Sequence, residues 1–423
     1  ALHGKTGFKQ VEIDSGGHAV RVLSSNPPTP GDNLMLAVDS KLQKIGEEAF
    51  GDRRGALVAI NPKTGEVLAY VSMPTFDSNL FVGGIDTENW KALNESLDKP
   101  LINRPLRGIY PPGSTFKPFI ALAGLEAGRR KPPFSINDPG FFMLPGNTHR
   151  YRDWKPQGHG IVDMRKAITI SCDTFFYGLA HEMGITAMTS FVSHFGFGKK
   201  TGIDLRGELE GLLPTPEWKK RRFNQPWYPG ETVIFGIGQG YMLATPMQLA
   251  QATAVFANHG VAMKPHLVSA IQEATTGTIR PVELVASDRI ELNPENVEIV
   301  RKGMEDVTLP GGTAVAVGAG APYTVAAKTG TAQVVGIKQG EKYDASKLDE
   351  RHRDHALFIA YAPADDPKIA LAVIVENGGG GGSTAGPIAR KVIDYYLLGK
   401  EPAPTEKAAP VVTPLPEEVH RHD

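Results

Sequence analysis

A hydroxyl and an amine three residues apart, at the head of an apolar run, are the parts of a serine nucleophile with its own base. The stretch "YPPGSTFKPFIALAGLEAG" places Ser114 and Lys117 in that relation. On a helix, residues i and i+3 share a face, so the amine can reach the hydroxyl. Serine is a weak nucleophile at its free pKa and needs an adjacent base, a task a lysine desolvated at a helix start can serve. The spacing alone is cheap, because Ser96 and Lys99 in "SLDK" repeat it. Asp98 and Pro100 make that second copy a turn with no apolar helix behind it.

K-T-G occurs four times, and position separates the copies. Lys5-Thr6-Gly7 lies in a polar N-terminal stretch, Lys63-Thr64-Gly65 between two strand-like runs, and Lys200-Thr201-Gly202 after "FGFGK". Those three read as turns, where glycine tolerates positive φ. Only Lys328-Thr329-Gly330 begins inside a strand-like run and continues as "TAQVV". A strand edge there can hold a lysine and a threonine toward a cleft while backbone N–H groups point at a ligand. Between the two motifs lies Ser171-Cys172-Asp173, in "ITISCDTFF", with the only cysteine of the chain. An S-x-x-K that opens a helix, a central serine motif and a late-strand K-T-G, in that order, are a signature of serine acyl transfer.

With these residues the chain resembles the class B, monofunctional penicillin-binding proteins, and most of all their elongation-type group, penicillin-binding protein 2. "RGIYPPGSTFKP", "GIGQGYMLATPMQLA" and "AAKTGTAQV" carry the likeness, which spans roughly residues 33 to 400. The resemblance implies an α+β transpeptidase fold, with a central antiparallel sheet flanked by helices plus a helical subdomain. It implies that Ser114 attacks the terminal D-Ala-D-Ala bond of a peptidoglycan stem peptide, with Lys117 as base. Ser171 would pass a proton to the leaving D-alanine, and Lys328 would supply positive charge near that shuttle and the substrate carboxylate. Thr329, Gly330 and Thr331 become the substrate-binding strand, with the two threonines on the carboxylate. Backbone N–H groups of Ser114 and Thr331 become the oxyanion hole, and β-lactams would acylate Ser114 as substrate mimics.

Asp173 stands where the broad family has asparagine and marks the elongation-type group. An acid beside lysines favours their charged form. Asp173 is therefore expected either to turn to another partner or to be countered by deep burial of Lys117. The segment "RGELEGLLPTPEW" lacks the glutamate-plus-asparagine pattern with which class A β-lactamases activate water, which favours transfer to an amine. A D,D-carboxypeptidase, or a β-lactam-binding sensor or scaffold on the same fold, would keep the same motifs.

From the residues alone, Cys172 has two readings. Free cysteine is among the most buried residue types, so it can be a small core residue. It can also join Asp138, Asp153 and His159 as one thiolate, two carboxylates and an imidazole, a donor set that suits a closed zinc site. The spacings fit no short zinc pattern, and His149, Asp163 and His181 are alternatives. The resemblance implies the zinc reading, with a structural ion behind the loop and no cofactor needed for catalysis. In extended chain neighbouring residues point opposite ways, so Ser171 and Asp173 can face a cleft while Cys172 faces inward.

Elements from both ends of the chain must position these groups. "LMLAVDSKLQKIGEEAF" predicts a helix capped at Asp32 or Asn33, and "GALVAI" and "EVLAYVSM" a hairpin around "NPKTG". The middle, from about 100 to 310, reads as helical with glycine-rich breaks. A strand through Lys328 follows, then an exposed charged loop over 337–355, then a hairpin turning at "PADDP". "VENGGGGGSTAG" reads as a cleft rim or a linker before a last helix that closes at Gly399. "WKKRRFNQPWYPGE" reads as a solvated loop near the cleft, and Phe175, Phe176 and Tyr177 as core. Residues 1–32 look like the remnant of a preceding pedestal module, 33–400 like the transpeptidase domain, and 401–423 like a disordered tail.

Lys+Arg 45 against Asp+Glu 46 leaves a net charge of -1, so no basic excess points to nucleic acid. A single cysteine excludes an intramolecular disulfide framework. No apolar run reaches the ~18 residues of a membrane span. The resemblance nonetheless implies an inner-membrane protein facing the periplasm, its anchor outside this chain. Its implied partners are stem peptides, β-lactams, a membrane glycan polymerase and other elongation proteins.

Overall fold

The strand-like runs from the two ends of the chain meet in one sheet. The computed structural model describes residues 2–335 and 347–401, so part of the charged loop and all but the first residue of the tail lie outside the described residues. Strands β1 (Gly55–Ile60), β2 (Val67–Met73), β3 (Ala326–Ala332), β4 (His355–Ala362) and β5 (Ile369–Val375) pair in the order β3-β4-β5-β1-β2. Every pairing is antiparallel. Both expected hairpins are present, and β5 against β1, with Val373 opposite Leu57, joins the late part of the chain to the early part. The K-T-G strand β3 is left at an edge, where only one side of its ladder is paired.

Around this sheet lie α1 (Ser40–Phe50), α2 (Lys117–Glu126), α3 (Met164–Thr169), α4 (Asp173–Met183), α5 (Pro216–Phe223), α6 (Pro229–Phe235), α7 (Pro246–Ala257), α8 (Pro294–Asp306) and α9 (Gly386–Leu398). Successive strand side chains go to opposite faces, and here both faces are covered. Leu57, Phe358, Leu371 and Val373 pack with Leu42 and Phe50 of α1 and Ile388 and Val392 of α9. Val58, Ile359, Ala372 and Ile374 face the larger core of α2, α4 and α7, with Phe116, Phe119, Phe175 and Phe176 inside it. Each of the larger of these side chains, fully buried, contributes about 1.5–3 kcal/mol. Every residue of α7 is buried, so this helix is the joint between sheet and helical subdomain.

Three expectations change. Asn33–Leu36 is a strand paired with Val268–Gln272, and α1 begins only at Ser40. The carboxylate of Asp39 accepts from the N–H groups of Lys41 and Leu42, so this nearer cap, rather than Asp32 or Asn33, sets the start. The middle is helical with short ribbons, among them Ile136–Asp138 with Gly160–Val162 and Val261–Met263 with Ala286–Arg289. "WKKRRF" is helical as most of α5, and its Lys219 is buried. The last helix closes at Gly399 with φ 65°, as its sequence predicts. Near the N-terminus, the hairpin Phe8–Ile13 with Ala19–Asn26 is exposed along both strands. Among the described residues no helix is long and apolar enough to cross a membrane.

Candidate active site

Ser114 sits half-buried on a tight 3-10 turn, Gly113–Phe116, that runs directly into α2. Gly113 has φ 53°, its N–H donates to the Gly238 carbonyl (2.8 Å), and a Cβ there would lie 2.7 Å from the Thr331 carbonyl oxygen. Only glycine lets the turn come that close to the K-T-G strand. Phe116, buried edge-on against Phe197 and Phe235, anchors the turn from below. Lys117 then opens α2 and is fully buried.

Ser171 occupies the corner between α3 and α4 in a left-handed conformation, φ 59°. For a non-glycine residue this costs about 1–2 kcal/mol, which the surroundings must hold. The Cys172 N–H closes α3 onto the Ala167 carbonyl (3.0 Å), and Asp173 begins α4. The corner thereby turns Ser171 and Asp173 to one side and Cys172 to the other.

Two amines converge on the Ser171 hydroxyl. Lys117 Nζ lies 3.2 Å from Ser171 Oγ, 2.9 Å from the Ser171 carbonyl and 2.6 Å from Asp173 Oδ1. Lys328 Nζ, on the edge strand and fully buried, lies 2.9 Å from the same Oγ and 3.0 Å from the Thr329 carbonyl. Burial first, and the Lys117 charge second, push the Lys328 amine well below the ordinary lysine value, against the pull of Asp173. Thr329 is buried with its hydroxyl on that of Thr313 (2.8 Å), Gly330 is buried, and Thr331 is exposed at the mouth. The glycine-rich stretch is built into this wall rather than linking past it. A Cβ on Gly381 would stand 2.5 Å from the Gly330 carbonyl oxygen and 2.2 Å from that of Leu357.

One detail differs from the sequence reading. Among the described residues no hydrogen bond joins Lys117 to Ser114; its amine is turned to Ser171 and Asp173. Asp173 follows the second of its two expected courses, beside a deeply buried Lys117. It pairs with Lys117, while its Oδ2 accepts from the Trp154 N–H (3.2 Å), since a fully buried ammonium needs a counter-ion. Trp154, Gln239 and Thr313 were not singled out. Gln239, whose Nε2 donates to the Thr331 carbonyl (3.3 Å), lies within "GIGQGYML" and was open to notice. Trp154 and Thr313 carry no local signal.

Behind the corner, Asp138, Asp153, His159 and Cys172 offer one ligand atom each, all within 4.8 Å of one another. His159 Nδ1 lies 2.8 Å from Asp138 Oδ2 and 3.5 Å from Asp153 Oδ1, and Cys172 Sγ lies 3.5 Å from Asp138 Oδ2. Tetrahedral zinc with bonds of 2.0–2.3 Å separates its ligand atoms by roughly 3.3–3.8 Å, so a small contraction would close the set. Burial, then the charge of Asp173, raises the Asp153 carboxyl. Burial, then Asp153, pushes the Cys172 thiol far above its ordinary value. Buried Asp138 is held below the usual carboxylate value by hydrogen bonds from the Gly140 N–H and His159. A divalent cation would invert the cost of gathering these anions, and the donor set fits one. His159 Nε2 is buried and, among the described residues, has no hydrogen-bond partner. His149, Asp163 and His181 are not in the group; Asp163 instead caps α3 through the Lys166 N–H.

The chain is 47% identical over 410 residues to the peptidoglycan D,D-transpeptidase MrdA of Acinetobacter baumannii, covering 96% of this chain and 60% of that protein. It is 43% identical over 401 residues to MrdA of Escherichia coli K12, covering 94% and 63%. It thus spans less than two thirds of these relatives. The structure of Pseudomonas aeruginosa PBP2 in complex with WCK 5153 superposes with a TM-score of 0.79 at 48% identity, over 88% of this chain and 77% of that one. Helicobacter pylori PBP2, in complex with MreC, superposes at 0.80 with 34% identity, over 94% and 70%. Residues 55–394 match the penicillin binding protein transpeptidase domain, so the chain belongs to the penicillin-binding protein transpeptidase family.

Proposed function

We propose that this chain carries a serine D,D-transpeptidase that cross-links peptidoglycan stem peptides ending in D-Ala-D-Ala. The observation that carries the reading is one buried hydroxyl, Ser171, held between two buried amines behind the Ser114 turn. Two lysines and one carboxylate leave the resting centre balanced when one amine is neutral, and burial points to Lys328. A substrate carboxylate held by Thr329 and Thr331 beside Lys328 would favour its charged form. A proton then passes from Lys117 through Ser171 Oγ to Lys328, and Lys117 is free to act as base.

Ser114 Oγ bonds to the carbonyl carbon of the penultimate D-alanine as its proton goes to Lys117. Backbone N–H groups of Ser114 and Thr331 stabilise the oxyanion, a donor of that kind being worth about 3–4 kcal/mol of barrier. The C–N bond breaks as Ser171 gives its proton to the departing amine and recovers one from Lys117. An amine of a second stem peptide then bonds to the acyl carbon as the bond to Ser114 Oγ breaks, and the proton it sheds passes by Ser171 and Lys117 to Ser114. A β-lactam would be opened by the same attack.

Asp138, Asp153, His159 and Cys172 would hold a structural zinc that fixes the back of the Ser171 corner and takes no part in these steps. By likeness to its relatives, we place the enzyme in cell elongation on the periplasmic side of the inner membrane, beside a glycan polymerase and MreC-type partners. A fluorescent penicillin should label the chain at Ser114, mapped by mass. Ser114→Ala that still labels stoichiometrically would sink the reading. Release of free D-alanine with no cross-linked product, in the presence of an amine acceptor, would replace it with a D,D-carboxypeptidase.

A further inference from the structure

The stretch from Trp218 to Glu231 takes no part in acyl transfer, yet it is built as a surface. Lys219 of α5 is buried, ion-paired to Glu231 of α6, with its Nζ 4.2 Å from the centre of the Tyr228 ring and 6.0 Å from that of Tyr241. Three more rings meet on Tyr241: Phe223 stacked at 5.5 Å and 29°, Trp218 at 5.2 Å and Trp227 at 6.4 Å. The Trp227 indole N–H donates to the Thr232 hydroxyl (2.8 Å), which fixes that ring. Phe223 is 45% exposed and Tyr228 50% exposed. Lys220, Arg221 and Arg222 occupy exposed positions of the same helix, in a chain whose net charge is only -1.

The platform adjoins the cleft. Tyr241 follows Gln239 by two residues, and the Gln239 side chain is bonded to the carbonyl of Thr331 at the end of the K-T-G motif. The rings and their flanking cations are thus joined through Tyr241 to the segment that contacts the K-T-G strand. Aromatic side chains present large apolar faces at little entropic cost, and pyranose rings offer apolar C–H faces of similar size. Cations complement carboxylates on what the sugars carry.

We propose that this platform binds the glycan strand of the substrate, a polymer of pyranose sugars bearing acidic peptides. The inference rests on the transpeptidase reading above and adds where the polymer lies. The test uses the 423-residue chain already acylated by penicillin, so that the cleft is closed to stem peptides. Three probes are titrated into it: un-crosslinked glycan strands with pentapeptide stems, the same strands stripped of peptide by an amidase, and free pentapeptide. Both kinds of strand should bind. The double variant Phe223→Ala/Tyr228→Ala should weaken each by about ten-fold, and Phe223→Tyr/Tyr228→Phe should restore it. Arg221→Glu/Arg222→Glu should weaken the stem-bearing strands more than the stripped ones.

Equal strand binding by the wild-type chain and the double alanine variant overturns the proposal. So does binding of free pentapeptide with none of stripped strands. An unfolding midpoint on each variant separates lost binding from lost fold, and the restoring pair keeps the test decisive if the alanine variant unfolds. The adduct map on the wild-type chain stands apart: a chain labelled at Ser114 whose strand binding ignores these rings refutes the platform and leaves the transpeptidase reading intact.

Discussion

At the scale of single residues, the centre depends on which amine is neutral. If Lys328 must accept a proton, the second-order rate of acylation by penicillin should rise with pH through a value well below 10.5, the ordinary lysine value from which burial lowers it. A limb found near 10.5 would contradict that role. Lys328→Arg cannot shed its proton near neutral pH, so the limb should vanish and the rate on the plateau above it should fall about 10²–10⁴-fold. The metal ligands give a second prediction. Protein purified without chelator should carry close to one equivalent of zinc by elemental analysis, and Cys172→Ser or His159→Ala should lose most of it. Negligible zinc in wild type and variants alike would leave Cys172 as a small buried residue.

At the scale of elements, the site is a meeting of a turn, a corner and an edge. Gly113→Ala tests the turn. The added methyl would meet the Thr331 carbonyl and the residue would keep φ 53°. It should cost about 1–2 kcal/mol in urea unfolding and slow acylation by more than that loss implies, because it parts Ser114 from the K-T-G strand. Full retention of the acylation rate would show that the turn has another way to pack. The edge position of β3 has its own reason: an interior strand would have both sides of its ladder paired and no free backbone to offer a ligand.

At the scale of the molecule, one charged network ties the sheet to the segment that leads into Ser114. Glu376, just after β5, accepts from Arg104 Nε (2.9 Å) and from the Tyr110 hydroxyl (2.7 Å), and Arg54 bridges it to Asp98 and Glu350. Burial raises the Glu376 carboxyl, but Arg104 and Tyr110 outweigh it and hold the group below its ordinary 4.5. A carboxylate with a depressed folded value stabilises the fold fully above its unfolded value and stops doing so as pH falls through the folded one. Glu376→Ala should therefore lose about 3 kcal/mol at pH 7, and much less relative to wild type at pH 3. A difference that does not change between those two pH values would mean that packing, not charge, holds this joint.

Much of this was open to sequence reading where the signal is local. Ser114 and Lys117 are three residues apart, Lys328, Thr329 and Gly330 are contiguous, and both hairpins announce themselves by their turns. Composition and periodicity were enough for an α+β chain with strands at both ends, because burial patterns repeat every two or 3.6 residues. The helix start at Ser40 was missed because pairing with Val268–Gln272 takes up Asn33–Leu36 as a strand and leaves Asp39 as the cap. What the tertiary structure alone decided is who faces whom. Ser171 Oγ meets an amine 54 residues away and another 157 residues away. Asp173 takes Lys117 as its partner, and five rings converge beside the cleft. Such contacts arise only when a sheet edge, a helical corner and a glycine turn pack together, and no propensity that acts over a few neighbouring residues encodes their distances.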